Sequence, residues 1–184
     1  MRVTPTTIAD VLLIEPKVFG DESSFFFESF NERAFFEATG IAAKFVQDNH
    51  SRSVKNTVRG LHYQIQKPQG KLVYVVAGEV FDVIVDIRRS SPTFGKWEGR
   101  HLSAENKNMV WIPPGLAHGF AVLSEYADFL YKTTGYWAPQ HERTLLWNDP
   151  DIAIAWSLTG EPILSVKDRA GKRLSEAEES ALPC

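Results

Sequence analysis

The sequence predicts an all-β fold, a jelly-roll sandwich or barrel with a few short peripheral helices, and three observations predict it. First, EVFDVIVDI (79–87) alternates strictly, with Phe81, Val83, Val85 and Ile87 on one face and Val80, Asp82, Ile84 and Asp86 on the other. Second, short β-rich runs recur along the chain, separated by turn-forming clusters such as RRSSPTFG and IPPGLAHG. Third, helical patterns are short and few. Many short strands at this chain length close most readily as a jelly roll, which holds small ligands in the barrel mouth.

In chain order, VLLIE (11–15) is an apolar run of strand length, and FFFESF (25–30) is aromatic-rich. A helix is expected over 32–39, capped by Asn31 and ended by Gly40. Strands are then expected at 43–47 and at 57–66, where Leu61, Tyr63 and Ile65 alternate with His62, Gln64 and Gln66. KLVYVVA (71–77), the 79–87 segment, KWEGRHL (96–102), MVWI (109–112), GFAVLS (119–124) and ADFLYKTT (127–134) complete the set. A second, polar helix is expected over 175–181, within a C-terminal tail spanning 169–184. No repeat, low-complexity tract or linker divides the chain, so residues 1–184 are expected to form one domain.

Hydrophobic residues make up 43% of the 184 and charged residues 23%, ordinary for a globular protein. A net charge of −3 gives no electrostatic case for nucleic acid or an anionic membrane surface. The apolar run Val11–Ile14 is too short for a signal peptide or a membrane span. The one cysteine, Cys184, excludes an intrachain disulfide and a thiolate metal site. These features point to a cytoplasmic protein.

Chemistry concentrates in TVRGLHYQIQKPQGK (57–71), where one imidazole sits among basic and amide side chains without a carboxylate. The histidines at 50, 62, 101, 118 and 141 are scattered, and Gln64 stands where a His-x-His metal pair would need its second ring. Neither a metal nor a cofactor is therefore expected. Periodicity leaves His62 either inside the barrel or facing solvent. Arg59 has the opposite parity, and Gly60 between them is a candidate bulge that re-aims one of the two. WIPPGLAHGF (111–120) delivers His118 from a rigid turn, and Tyr131 shares a face with Phe129 and Thr133. Lys167 and Asp168 of SVKD read, on their own, as a loop charge pair.

These segments occur together with VFGDESSFFFESF, FVQDNHS, RGLHYQ, QGKLV, LSAENK, LSEYADFLYK and LLWNDPDIAI in an order that resembles the dTDP-4-dehydrorhamnose 3,5-epimerases. That family comprises cupin-type jelly rolls of dTDP-L-rhamnose synthesis, and the resemblance runs from about Val11 to Asp168. It implies His62 as general base, Asp168 as the carboxylate that orients it, and Tyr131 as general acid on the opposite face of the sugar. It implies Lys71 and His118 near the keto oxygen, and Phe26, Glu28, Gln47, Asn49, Arg59, Trp137, Glu142 and Lys167 as contacts to the nucleotide sugar. It further implies a homodimer in which an N-terminal strand helps to complete the partner's site.

The chain departs from the family's Asp-x-Arg-Gly-Phe-Phe, since Ser23 and Ser24 replace the arginine and glycine. A strong arginine–phosphate contact is lost with them, and Arg33 and Arg52 are the replacements nearest in sequence. Inversion at C3 and C5 beside a C4 ketone needs a base, an enolate stabiliser and an acid on the far face, which this residue set supplies. A mono-epimerase or 3,4-ketoisomerase, a metal-dependent cupin, and a silent nucleotide-sugar-binding domain are the alternative readings.

Overall fold

The computed structural model describes residues 1–180. Among the described residues, thirteen strands are grouped in two large antiparallel sheets and one small hairpin. The six-stranded sheet has the order β1 (Arg2–Pro5), β2 (Leu12–Glu15), β10 (Met109–Ile112), β7 (Lys71–Ala77), β12 (Tyr126–Thr133), β5 (Gln47–Val54). The five-stranded sheet has the order β13 (Glu142–Thr144), β6 (Val58–Gln64), β11 (Leu116–Val122), β8 (Glu79–Asp86), β9 (Trp97–Ser103). The hairpin pairs β3 (Phe19–Gly20) with β4 (Phe25–Phe26). The expected all-β, cupin-type jelly roll is the architecture found.

Alternation along the strands produces three apolar layers. Val73, Val75, Val80, Ile84, Val110, Ile112, Phe120 and Phe129 fill the space between the sheets. On the outer face of the five-stranded sheet, Leu61, Tyr63, Val83, Val85 and Ala117 pack under the C-terminal segment, which contributes Leu145, Ile152 and Trp156. Outside the six-stranded sheet, Leu72, Met109 and Trp111 meet Phe30, Phe35 and Phe45, several of them edge to face. Strands of β8 and β11 are thus buried on both faces, whereas β5 is polar and carries the solvent edge of its sheet.

Helix α1 (Glu32–Thr39) forms as expected. Asn31 Oδ1 accepts the Ala34 N–H at 3.1 Å, and Gly40 ends the helix at φ 73° with its N–H on the Phe36 carbonyl. Three expectations are corrected. The strand over 25–30 stops at Phe26, because Phe27 and Phe30 turn into the aromatic layer outside the six-stranded sheet. Residues 43–47 are not a strand up to Val46, since Ala43 and Phe45 pack on that layer, and the strand there is the polar Gln47–Val54. The helix over 175–181 is absent from its described part: Leu174–Glu176 make a single 3-10 turn, Ala177–Ser180 are irregular, and Ala181 lies outside the described residues. Strands β1 and β13 and the short helix α2 (Val166–Arg169) were not anticipated.

Candidate active site

The sequence question about His62 turns on β6. Leu61 and Tyr63 enter the outer apolar layer, so His62 and Gln64 point the other way, into a cavity of about 450 Å³ between the sheets. That volume lies in the range of small-ligand sites. Gly60 is the anticipated bulge: opposite β11, Arg59 pairs with Phe120 and His62 with His118, so β6 spends one more residue than its partner. The extra residue brings Arg59 and His62, of opposite parity, to the same cavity. Only glycine fits, because φ is 107° and a Cβ would stand 2.6 Å from the Gly119 Cα and the His118 carbonyl.

Behind His62, α2 carries Asp168, fully buried. Its Oδ1 receives His62 Nε2 at 2.6 Å and the Gly60 N–H at 3.2 Å, while the Ser165 hydroxyl donates to Oδ2 at 2.6 Å. Burial alone would raise this carboxyl, but the bonds from His62 and Ser165 outweigh it and hold Asp168 at about 2. With Nε2 committed to an anion, Nδ1 is the nitrogen left to take a proton. Burial lowers the His62 pKa against the opposing pull of Asp168, so the ring is neutral at pH 7. Lys167 and Asp168 do not pair with each other as the loop reading had it. Lys167 reaches Glu142 at 2.9 Å, and both line the cavity.

Across the cavity stand Tyr131 on β12 and Lys71 on β7. Both project from the interior face, Tyr131 in register with Phe129 and Lys71 with Val73 and Val75. Burial, then the charge of Glu142, raises the Tyr131 phenol, which keeps it protonated. Burial lowers the Lys71 ammonium to about 8, so it remains mainly cationic at neutral pH. The site therefore offers a neutral base, a protonated phenol and a cation around one space.

Gln47, Asn49 and Trp137 also line the cavity, as do Arg59, Glu142 and Lys167. His118 is buried and is not among the lining side chains; its Nε2 lies 2.7 Å from Asp82 Oδ1, and its ring stacks on Phe129. Phe26 and Glu28 stay outside the cavity of their own chain. Phe26 is exposed on the β3–β4 hairpin, and Glu28 accepts from Asn31. Ser23 and Ser24 close the preceding turn, both donating to Asp21 Oδ1. Of the two replacement arginines, Arg33 is exposed on α1, and Arg52 borders the cavity with its guanidinium bound to Asp128 at 2.8 and 2.6 Å.

Sequence reasoning missed Asp82, Ser165 and Gln69. Asp82 was visible as a carboxylate in the alternation of EVFDVIVDI, and Ser165 as a helix cap three residues before Asp168. Among the described residues, no three His, Cys, Asp or Glu side chains converge as metal ligands. No helix among them is long and apolar enough to cross a membrane.

The family model described as dTDP-4-dehydrorhamnose 3,5-epimerase matches residues 5–176. The dTDP-4-dehydrorhamnose 3,5-epimerase of Pseudomonas aeruginosa is 62% identical over 178 residues, covering 97% of this chain and 98% of that protein. A crystal structure of a dTDP-6-deoxy-D-glucose-3,5-epimerase from Legionella pneumophila, in complex with dTDP-4-keto-L-rhamnose, superposes with a TM-score of 0.95 at 51% identity, covering 100% of this chain and 99% of that one. A dTDP-4-dehydrorhamnose 3-epimerase of Streptomyces niveus is 38% identical over 184 residues, covering 99% of this chain and 88% of the other. A match of this extent, on a jelly roll whose cavity gathers the His62–Asp168 pair, Tyr131 and Lys71, makes the chain a member of the dTDP-4-dehydrorhamnose 3,5-epimerase family.

Proposed function

We propose that this protein inverts C3 and C5 of dTDP-4-dehydro-6-deoxy-D-glucose to give dTDP-4-dehydro-L-rhamnose, through proton transfer and an enolate. The single observation that carries the reading is the buried Asp168–His62 pair facing a cavity shared with Tyr131 and Lys71. His62 Nδ1 takes the proton from carbon, and the electron pair of the broken C–H bond moves to the C4 oxygen as an enolate. The Asp168 anion stabilises the imidazolium that forms. The Lys71 ammonium stabilises the enolate oxygen, with the His118–Asp82 pair behind it. Tyr131 delivers its proton to the opposite face of the same carbon, and solvent returns one proton to the phenol and removes one from His62. The sequence repeats at the second carbon.

Gln47, Asn49, Arg59, Trp137, Glu142 and Lys167 hold the nucleotide-sugar around the reacting ring. Phe26 and Glu28 act in the site of a second copy, so the working unit is a homodimer. The exposed Val18, Phe19, Phe25 and Phe26 around the β3–β4 hairpin support this, since a two-residue pairing has no core of its own beneath it. Cytoplasmic placement and a single domain over the whole chain belong to the same proposal. Proton NMR of the substrate incubated with the protein in D2O tests it. Deuterium at both C3 and C5 is the expected result. Deuterium at C3 alone would assign the activity of the Streptomyces niveus relative instead, and no exchange at either carbon would overturn the reading.

A further inference from the structure

Two glutamines of the 57–71 stretch have no part in proton transfer, yet both end on one loop. Residues 134–138 connect β12 to the turn at Pro139–His141 and carry the exposed rings of Tyr136 and Trp137. Gln64, 5% exposed, accepts the Ala138 N–H on Oε1 at 2.9 Å and donates from Nε2 to the Lys67 carbonyl at 2.8 Å. Gln69 donates from Nε2 to the Gly135 carbonyl at 2.6 Å. Gln47 accepts the Trp137 N–H at 3.2 Å, and the Thr134 N–H goes to the Gly70 carbonyl at 3.0 Å.

Four of the five loop residues, Thr134, Gly135, Trp137 and Ala138, are thus tied through their backbone to side chains or backbone of other segments, three of them by glutamine amides. The ring of Trp137, which lines the cavity, is 57% exposed and has no aromatic partner among the described residues. A backbone fixed at several points under an unpartnered ring is a preorganised contact surface, whose ordering cost is met before a ligand arrives. Both functional ends of the Gln64 amide are occupied by backbone groups, which directs its effect through the loop rather than onto the ligand.

We infer that Gln64 and Gln69 are positioning residues that fix the 134–138 loop so that Trp137 stands at the cavity mouth for the nucleotide-sugar, acting on binding and not on proton transfer. The inference rests on the epimerase reading above. Three variants test it: Gln64→Met, which removes both bonds at similar volume; Gln64→Glu, which keeps the acceptor for the Ala138 N–H; and Gln69→Met. Each is assayed for KM and kcat on the substrate, alongside amide hydrogen exchange of residues 134–138. For Gln64→Met, KM is expected to rise tenfold or more with kcat within threefold of wild type, and the loop amides to exchange faster. Gln64→Glu should restore most of the KM, and Gln69→Met should raise it threefold or more.

Unchanged KM in the methionine variants despite faster exchange would overturn the inference, as would a fall in kcat at constant KM. Should Gln64→Met fail to fold, the half-buried Gln69 decides alone, and an unchanged KM there overturns the inference. Wild-type protein in the same assay separates the two levels. Normal wild-type turnover with normal variant KM removes only the glutamines, whereas no wild-type turnover removes the epimerase reading and this inference with it.

Discussion

Replacing Asp168 with asparagine removes one charge from the centre of the site while keeping nearly the same shape. The carboxylate carries three hydrogen bonds, from His62 Nε2, the Gly60 N–H and the Ser165 hydroxyl, and the Arg59 guanidinium lies 3.9 Å away. Folding moves its pKa from 3.8 to about 2. At 1.36 kcal/mol per unit this corresponds to about 2 kcal/mol of stability. The folded value is the lower one, so that stability is complete above pH 4 and is lost as pH falls through 2. An amide can keep the Gly60 bond on its oxygen and donate to Ser165, so the net loss at pH 7 should be about 1–2 kcal/mol. The catalytic loss should be larger, because the imidazolium formed on proton abstraction no longer faces an anion. A neighbouring opposite charge shifts a pKa by roughly 1–3 units, which places the fall in turnover at about a hundredfold. The assay pairs the initial rate of inversion with denaturant unfolding of the same preparation. A folded Asp168→Asn protein with kcat within threefold of wild type would refute the role given to this carboxylate.

The pH profile of kcat/KM should be a bell. Its acid limb lies below 6.5, because burial lowers His62, which must be neutral to accept a proton, and its alkaline limb lies near 8, where Lys71 loses its charge. Lys71→Arg should push the alkaline limb upward, and a limb that stays near 8 assigns it to another group. Tyr131→Phe should still wash deuterium into the substrate from the His62 face while inversion falls by about 10²–10³, which NMR reads as exchange with retention. Gly60→Ala should destabilise the fold by about 3 kcal/mol or more in urea titration, since a Cβ at φ 107° would enter the Gly119 backbone. Dialysis against a chelator should leave turnover unchanged, and recovery of lost activity by an added divalent ion would contradict that.

Period-2 alternation made most of the barrel legible, because strands such as EVFDVIVDI are buried by the same side chains that create the pattern. It failed on QDNHSRSV, where strand β5 turns Gln47, Asn49, Ser51 and Ser53 inward to line a cavity, so the apolar face that marks a strand is missing. The error over 25–30 has the opposite cause. Phe27 and Phe30 are apolar for the sake of a layer outside the sheet, not for pairing within it. At the site, parity along β6 narrowed His62 to two orientations, and only the tertiary position of Leu61 and Tyr63 under the C-terminal segment selects the inward one. Asp168 lies 106 residues from His62 in sequence, and no local pattern ties the two. The resemblance named that pair, while the geometry supplies its reason in the bulge at Gly60, which offers Asp168 an N–H and re-aims Arg59.

The central claim is that one imidazole removes both protons. His62→Ala, incubated in D2O with dTDP-4-dehydro-6-deoxy-D-glucose and followed by proton NMR, tests it most directly. The account predicts no deuterium at C3 and none at C5 while the nucleotide-sugar still binds. Exchange at either carbon at the wild-type rate would contradict it.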